Sequence, residues 1–164
     1  MKIGIIIIFY NNIKDIDKSL FINQAKQAIE IEFCLVNNNS TDNTYVILKE
    51  IKEACKNVSL VNIKKSKPDL AAVRAGARYM FNEFNFKHIG YVNANVLNAK
   101  HIDINNLIKT VNENQDVILK HNIEILEKQE VKRTLFQSIF SVLDYLKDIQ
   151  INNKFQELQK LSKL

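Results

Sequence analysis

The chain has 164 residues, a formal net charge of +5 and an apolar share of 46%. This fits one globular domain with a core of its own and excludes a fibrous, low-complexity or disordered chain. Its lysines are interspersed with acids rather than blocked, so the charge favours anionic ligands only weakly and does not point to nucleic acid as a partner.

The opening run, IGIIIIF, is too short to cross a bilayer, and no small-residue cleavage site follows it. Ile3–Ile8 therefore reads as a first strand buried on both faces, in a cytoplasmic protein. Asp15–Ile29 carries apolar residues at Ile16, Leu20, Ala25, Ala28 and Ile29, which predicts a helix opened by Asp15. Glu32–Val36 is a second strand. Thr44–Ala54 is a helix with Val46, Ile47, Ile51 and Ala54 turned inward, and Ser40, Thr41 and Asp42 read as its caps. Cys34 lies in the second strand and Cys55 near the end of this helix. With no framework or ligand spacing, they read as buried thiols in a reducing compartment.

A third strand spans Val58–Ile63, and a basic loop, KKSKPD, follows it. Pro68 stands where a first helical turn tolerates it, so Leu70–Phe84 is the next helix. The lysines at 64, 65 and 67 form a solvated loop or face phosphate. His88–Val92 is a fourth strand, with a helix near Ile104–Asn112 and a strand near Val117–Leu119. His88, His101 and His121 lack metal-ligand spacing.

After Lys120 the pattern changes. Val131–Leu146 is expected to be one helix, with Val131, Leu135, Ile139, Val142 and Leu146 on a face that Phe136, Phe140 and Leu143 widen. Asn153–Leu164 is expected to be a last helix. Such a face needs cover from the sheet, a second copy in a homodimer, or a membrane-associated partner. The expected division is a core over 1–125 and a C-terminal helical segment over 126–164.

Strands alternating with helices predict an α/β fold: a mostly parallel sheet with helices on both faces, plus C-terminal helices. In such sheets ligands bind beyond the carboxyl ends of the strands. Asn11-Asn12, Asn37–Asn39 and Asn93–Asn95 each follow a strand directly. These three polar clusters are expected to converge on one edge.

The ordered segments IIIIFYNN, CLVNNNSTDNT, DLAAVRAGARYM and IGYVNANVL resemble a family 2 glycosyltransferase with the GT-A fold. NNNSTDNT stands where that family has Asp-Asp-Gly-Ser-Thr-Asp-x-Thr, and Asn93-Ala94-Asn95 where it has the metal-binding Asp-x-Asp. Ala71–Gly76 and DIQINNKF, Asp148–Phe155, resemble segments of the branch that uses polyprenyl-phosphate acceptors, such as the dolichyl-phosphate sugar synthases.

The resemblance implies a nucleotide-diphosphate-sugar site and transfer of a hexose-type sugar to a polysaccharide or lipid-phosphate acceptor, peripherally at the inner face of a membrane. It places Asn37 at the base-reading position, Asn39 at the turn glycine, and Tyr10 and Asn11 beside base and ribose. Arg74 falls at a base or phosphate contact. Asn93 and Asn95 fall at the metal-bound diphosphate, with Asn95 as a weak ligand for Mn or Mg. The departures point the other way. Asn37 replaces the base-reading Asp, Ile8 replaces a Pro, and amides replace both metal carboxylates. Magnesium sites usually keep one or two carboxylates, so a catalytically impaired binding or partner module is the alternative. No motif marks the base that inverting transfer needs. Asp103, Asp116 and Asp148 stay open for it.

Overall fold

The computed structural model describes residues 2–129 and 134–150. Five strands run parallel in the order β3-β2-β1-β4-β5: β1 Ile3–Phe9, β2 Ile31–Asn38, β3 Val58–Ile63, β4 Ile89–Asn93 and β5 Phe140–Ser141. The helices are α1 Lys18–Gln27, α2 Thr44–Ala54, α3 Asp69–Phe84, α4 Ala94–Ala99, α5 Ile104–Glu113, α6 Gln115–Glu127 and α7 over 142–150. The fold is α/β, with helices on both faces of the sheet.

The unbroken isoleucines of β1 follow from that layering. Ile3, Ile5, Ile7 and Phe9 pack into one core with α1, α2, α5 and α6, whereas Ile6 and Ile8 enter a second core with Ala72, Val73, Ala77 and Met80 of α3. Right-handed crossovers put α1 and α2 on one face while the chain steps outward from β1 to β3. The chain then reverses through α3 on the other face to lay β4 against the free side of β1. A reversal of this kind opens a crevice at the carboxyl ends of the two strands it separates, here β1 and β4. Gly76 is what lets α3 come so close. A Cβ there would stand 2.9 Å from an Ile6 methyl and 3.1 Å from a Val36 methyl.

Several expected elements differ. Helix α1 starts two residues past Asp15–Ile16, because Asp17 is its N-cap, accepting from the Leu20 amide at 3.1 Å. The shift in phase buries Phe21 and exposes Leu20, while Ile29 falls beyond the helix and Val46 faces solvent on α2. Val117–Leu119 is not a strand but part of α6; a three-residue apolar run has no period of its own, and here Ile118 is buried while Val117 is exposed. The expected boundary at 125/126 falls inside this helix.

Within the expected 131–146 helix, the described residues form a 3₁₀ turn at Phe136–Ser138, then β5, then α7. The apolar positions belong to two faces rather than one. Leu135, Phe136 and Ile139 pack on the α3 side, whereas Phe140, Val142 and Leu146 pack on the opposite side as the chain passes the sheet edge. Among the described residues of this segment, the apolar side chains pack into one or the other of the two cores. Phe140 lies so close over Gly90 that a Cβ on Gly90 would meet its ring at 2.5 Å. The expected helix at 153–164 lies outside the described residues. Among the described residues no helix is long and apolar enough to cross a membrane.

A buried polar chain docks α6 and α7. The Asn122 amide donates to His88 Nδ1 at 2.7 Å, and its oxygen accepts from the Tyr145 hydroxyl at 2.7 Å. Burial, and then the neighbouring Lys87 charge, hold the His88 pKa below its ordinary value of 6.5. The neutral ring with Nδ1 as acceptor is thus the folded form. The unfolded chain takes up the proton at a higher pH than the folded one. The contribution is therefore complete above the unfolded pKa and is lost as pH falls through the folded one. Urea midpoints measured between about pH 7.5 and about pH 5.5 should fall more steeply for the parent protein than for His88→Gln. Equal slopes would show that His88 titrates normally.

Candidate functional site

The crevice at the switch point is a cleft of about 480 Å³, lined by Ile8 of β1 and Tyr10 just past it, Asn38 of β2, Ser66 and Lys67 before α3, Asp69 at the start of α3, and Asn93, Asn95, Val96 and Lys100 around α4. A second cavity of about 450 Å³ continues from it toward β5. The two share Ile8, Asp69, Asn93, Val96 and Lys100. The second is more enclosed by apolar groups, among them Leu70, Val73 and Leu143, and presents Ser141 and Asp144.

The three asparagine clusters meet here, through hydrogen bonds of their side chains and of the loops that carry them. Asn12 is fully buried; its Oδ1 accepts from the Tyr10 amide at 2.7 Å and its Nδ2 donates to Asn95 Oδ1 at 2.7 Å. Asn95 completes a latch by donating its Nδ2 to the Tyr10 carbonyl at 3.1 Å. Asn93 caps α4, its Oδ1 accepting from the Asn95 amide at 2.8 Å. The loops after β1 and β2 are stitched in the same manner. Asn11 donates its backbone N–H to Ser40 Oγ at 3.0 Å, and its Oδ1 accepts from the Thr41 amide at 2.7 Å.

Asn11 and Asn39 both have left-handed backbone, with φ of 53° and 54°. Asparagine is among the few non-glycine residues that tolerate this region. Asn39 can therefore hold the turn where the resembling motif has glycine.

Ser40 and Thr41 do not cap α2. They join the two loops, and the N-cap position, Asn43, makes no side-chain capping bond. Asp42 instead accepts from Thr44, through both its amide and its hydroxyl, and from the Ile13 amide. What burial Asp42 has would raise its pKa. The bonds from Thr44 and Ile13 outweigh that and hold the carboxyl below the usual range.

The pleat separates the asparagines of β2. Asn38 faces the cleft and grips Lys67 from both ends: its Nδ2 donates to the Lys67 carbonyl at 2.7 Å and its Oδ1 accepts from the Lys67 amide at 3.0 Å. Asn37 points to the other face, buried, and donates to Asn62 Oδ1 at 2.9 Å. Its own Oδ1 has no hydrogen-bond partner among the described residues. Arg74 is not brought to the cleft. It lies exposed on α3 with its guanidinium 5.7 Å from the Phe136 ring centroid, beside Arg78 at 5.3 Å.

Of the open candidates for a base, none lines either cavity. Asp103 caps α5, Asp116 sits in the first turn of α6, and Asp148 lies 3.5 Å from His121 Nε2. The carboxylates that do line the cavities are Asp69 and Asp144. Sequence reasoning passed over Asp69, Lys100 and Asp144, and it named Asn38 only as part of the Asn37–Asn39 cluster. Strand alternation from Ile6 and Ile8 would have flagged Asn38, since Val36 and Asn38 share their face. Lys100 and Asp144 carry no local signal. Cys34 is buried and its thiol is pushed up to about 12 by that burial, so it is chemically inert.

The donor set does not suit a divalent cation. Both amide oxygens at the Asp-x-Asp position already accept hydrogen bonds, and among the described residues no three His, Cys, Asp or Glu side chains cluster.

A search of curated proteins finds no match. Among solved structures the chain is similar to the mannosyltransferase PcManGT of Pyrobaculum calidifontis, in a complex with GDP-Man and Mn2+, at 20% identity and a TM-score of 0.41. That similarity covers 48% of this chain and 24% of the mannosyltransferase. It is also similar to S. aureus TarS at 18% identity and a TM-score of 0.44, over 57% of this chain and 16% of TarS. TarS residues 1–349 in complex with UDP-GlcNAc match at 19% identity and a TM-score of 0.43, over 57% of this chain and 26% of that one. The chain thus matches about a quarter or less of the length of these proteins. The model of the family described as "Glycosyl transferase family 2" matches residues 4–161, nearly the whole sequence, and the chain belongs to that family.

Proposed function

We propose that this chain binds a nucleotide-diphosphate sugar in the cleft between β1 and β4 and transfers its hexose-type sugar to a hydroxyl or phosphate of a polysaccharide or lipid-phosphate acceptor. One observation carries the reading: a polar, lysine-walled cleft at the switch point opens directly into a second, more apolar cavity that holds a carboxylate. The first suits nucleotide and diphosphate, with Tyr10 exposed for the base to pack on. Asn11 and Asn39 shape its rim. The second cavity suits the sugar and the acceptor's reacting end, in keeping with a polyprenyl-phosphate acceptor at a cytoplasmic membrane face.

In this reading Asp144 takes the proton from an acceptor hydroxyl as oxygen attacks the anomeric carbon and the bond to the diphosphate breaks. General-base catalysis of this kind contributes about 10²–10⁴-fold. Asp144→Asn should therefore lower transfer by about 100-fold or more while nucleotide binding stays near that of the parent. The assay offers labelled UDP-GlcNAc or GDP-mannose to the parent with both acceptor classes, and the Asp144 comparison uses the polysaccharide hydroxyl acceptors, because an ionised polyprenyl phosphate needs no base. Unchanged transfer in the variant would remove Asp144 from the role.

A second reading, a nucleotide-sugar-binding module without turnover, is favoured by the Asn12–Asn95–Tyr10 latch, which occupies the position of the family's metal-binding acids. Binding of both nucleotide sugars without transfer to either acceptor class would select it. A homodimer or a membrane-bound partner belongs to either reading, and light scattering and liposome flotation test these.

A further inference from the structure

We propose that the cleft holds its nucleoside diphosphate as a metal-free anion, with Lys67 and Lys100 supplying the positive charge that a divalent ion would otherwise supply. This rests on the nucleotide-diphosphate reading above and concerns how that ligand is neutralised.

The first support is the chemistry of residue 95. A carboxylate there would accept from Asn12 Nδ2 as the amide does, but it would set an anionic oxygen against the Tyr10 carbonyl, now 3.1 Å from the Asn95 amide nitrogen. The latch needs a group that both donates and accepts, which an amide supplies and an ionised carboxylate does not. Asn93 likewise spends its oxygen on the Asn95 backbone. The position has become a joint between the β1 loop and α4. Neither amide brings charge to balance a dication, and among the described residues Asp69 is the one carboxylate on the cleft wall.

The second support is the placement of the cations. Lys67 sits on the loop before α3, where the Asn38 amide holds both its backbone N–H and its carbonyl. Asn38 is thus a positioning residue for Lys67. Lys100 follows the last turn of α4 and lines both cavities, where a diphosphate between nucleoside and sugar would lie. Among the described residues neither lysine forms an ion pair. Two lysines deliver charge to a phosphate without demanding fixed coordination geometry.

Titration calorimetry of the full chain with UDP and with GDP, each in Mn2+ and in EDTA, tests the proposal. For whichever diphosphate binds, the affinity should agree within about twofold between the two conditions. It should weaken about tenfold in Lys67→Ala or Lys100→Ala, recover largely in Lys67→Arg, and fall as salt is raised. The melting temperature of the ligand-free protein should be the same in Mn2+ as in EDTA. A tenfold tightening by Mn2+, a rise in melting temperature with Mn2+ alone, or lysine variants that bind like the parent would overturn it. In those cases diphosphate binding itself still stands. No binding of either nucleotide under any condition would refute the nucleotide reading and this inference with it.

Discussion

Asn12→Ala should lower stability by about 3 kcal/mol and the melting temperature by about 6–12 °C. Asn12 is fully buried, and the change deletes an acceptor for the Tyr10 amide and a donor to Asn95 Oδ1, each at 2.7 Å, and a weaker donation to Asp15 at 3.3 Å. Its own backbone N–H, held by Thr44 Oγ1 at 2.8 Å, would be pulled from place as the loop relaxes. Groups left without partners in a buried site each cost about 1–3 kcal/mol, and the methyl of alanine replaces none of them.

Binding should suffer with stability, because Tyr10 and Asn95 both line the cleft. A loss of about tenfold or more in nucleotide affinity is expected, measured well below the melting temperature. Asn12→Asp is the informative companion. It keeps the acceptor for Tyr10, but it sets a carboxylate against Asp15 and against the Asn95 oxygen, so it should be no more stable than the alanine variant at neutral pH. A melting temperature within a degree or two of the parent for Asn12→Ala would show that the latch carries little energy.

Asn122→Leu should cost about 2–4 kcal/mol with no comparable loss of binding. Leucine fills a similar volume, so the damage is electrical rather than steric. His88 Nδ1 loses its donor, and the Tyr145 hydroxyl loses its bond to the Asn122 oxygen, inside the packing of α6 and α7. Tyr145 also stacks on Phe140 with ring centroids 4.3 Å apart, so the disturbance reaches β5. Adding Tyr145→Phe should cost less in the Asn122→Leu background than in the parent, because that hydroxyl has already lost this partner. This chain meets β4 through His88, at the strand end opposite the cleft. Nucleotide affinity at low temperature should therefore stay within about twofold of the parent. Additive costs in the double variant, or a matching loss of affinity, would contradict this account.

The contrast between these two asparagines shows what was legible in the chain. Asn12 stands at the end of a β-branched run, so its place at the sheet's carboxyl edge follows from local sequence. Asn122 sits in a stretch whose short apolar run reads equally well as strand or helix. Its role depends on two residues 34 and 23 positions away. The same limit applies at residues 134–146, where apolar side chains spaced like one helical face serve two different cores.

What the sequence by itself determined was the alternation of strands and helices, the two-sided burial of β1, and the convergence of three polar clusters on one edge. Those follow from periodicity, from β-branched runs and from where strands must end. Only the tertiary structure decided which asparagine faces which way. The pleat turns Asn38 into the cleft and Asn37 away from it, and strand order brings Asn95 to Tyr10 across 85 residues of chain. It also decided that Arg74 lies against Phe136 while Lys100 and Asp144 reach the cavities. Local sequence specifies which groups a strand end offers. The register and the crossing of the chain specify which of them meet.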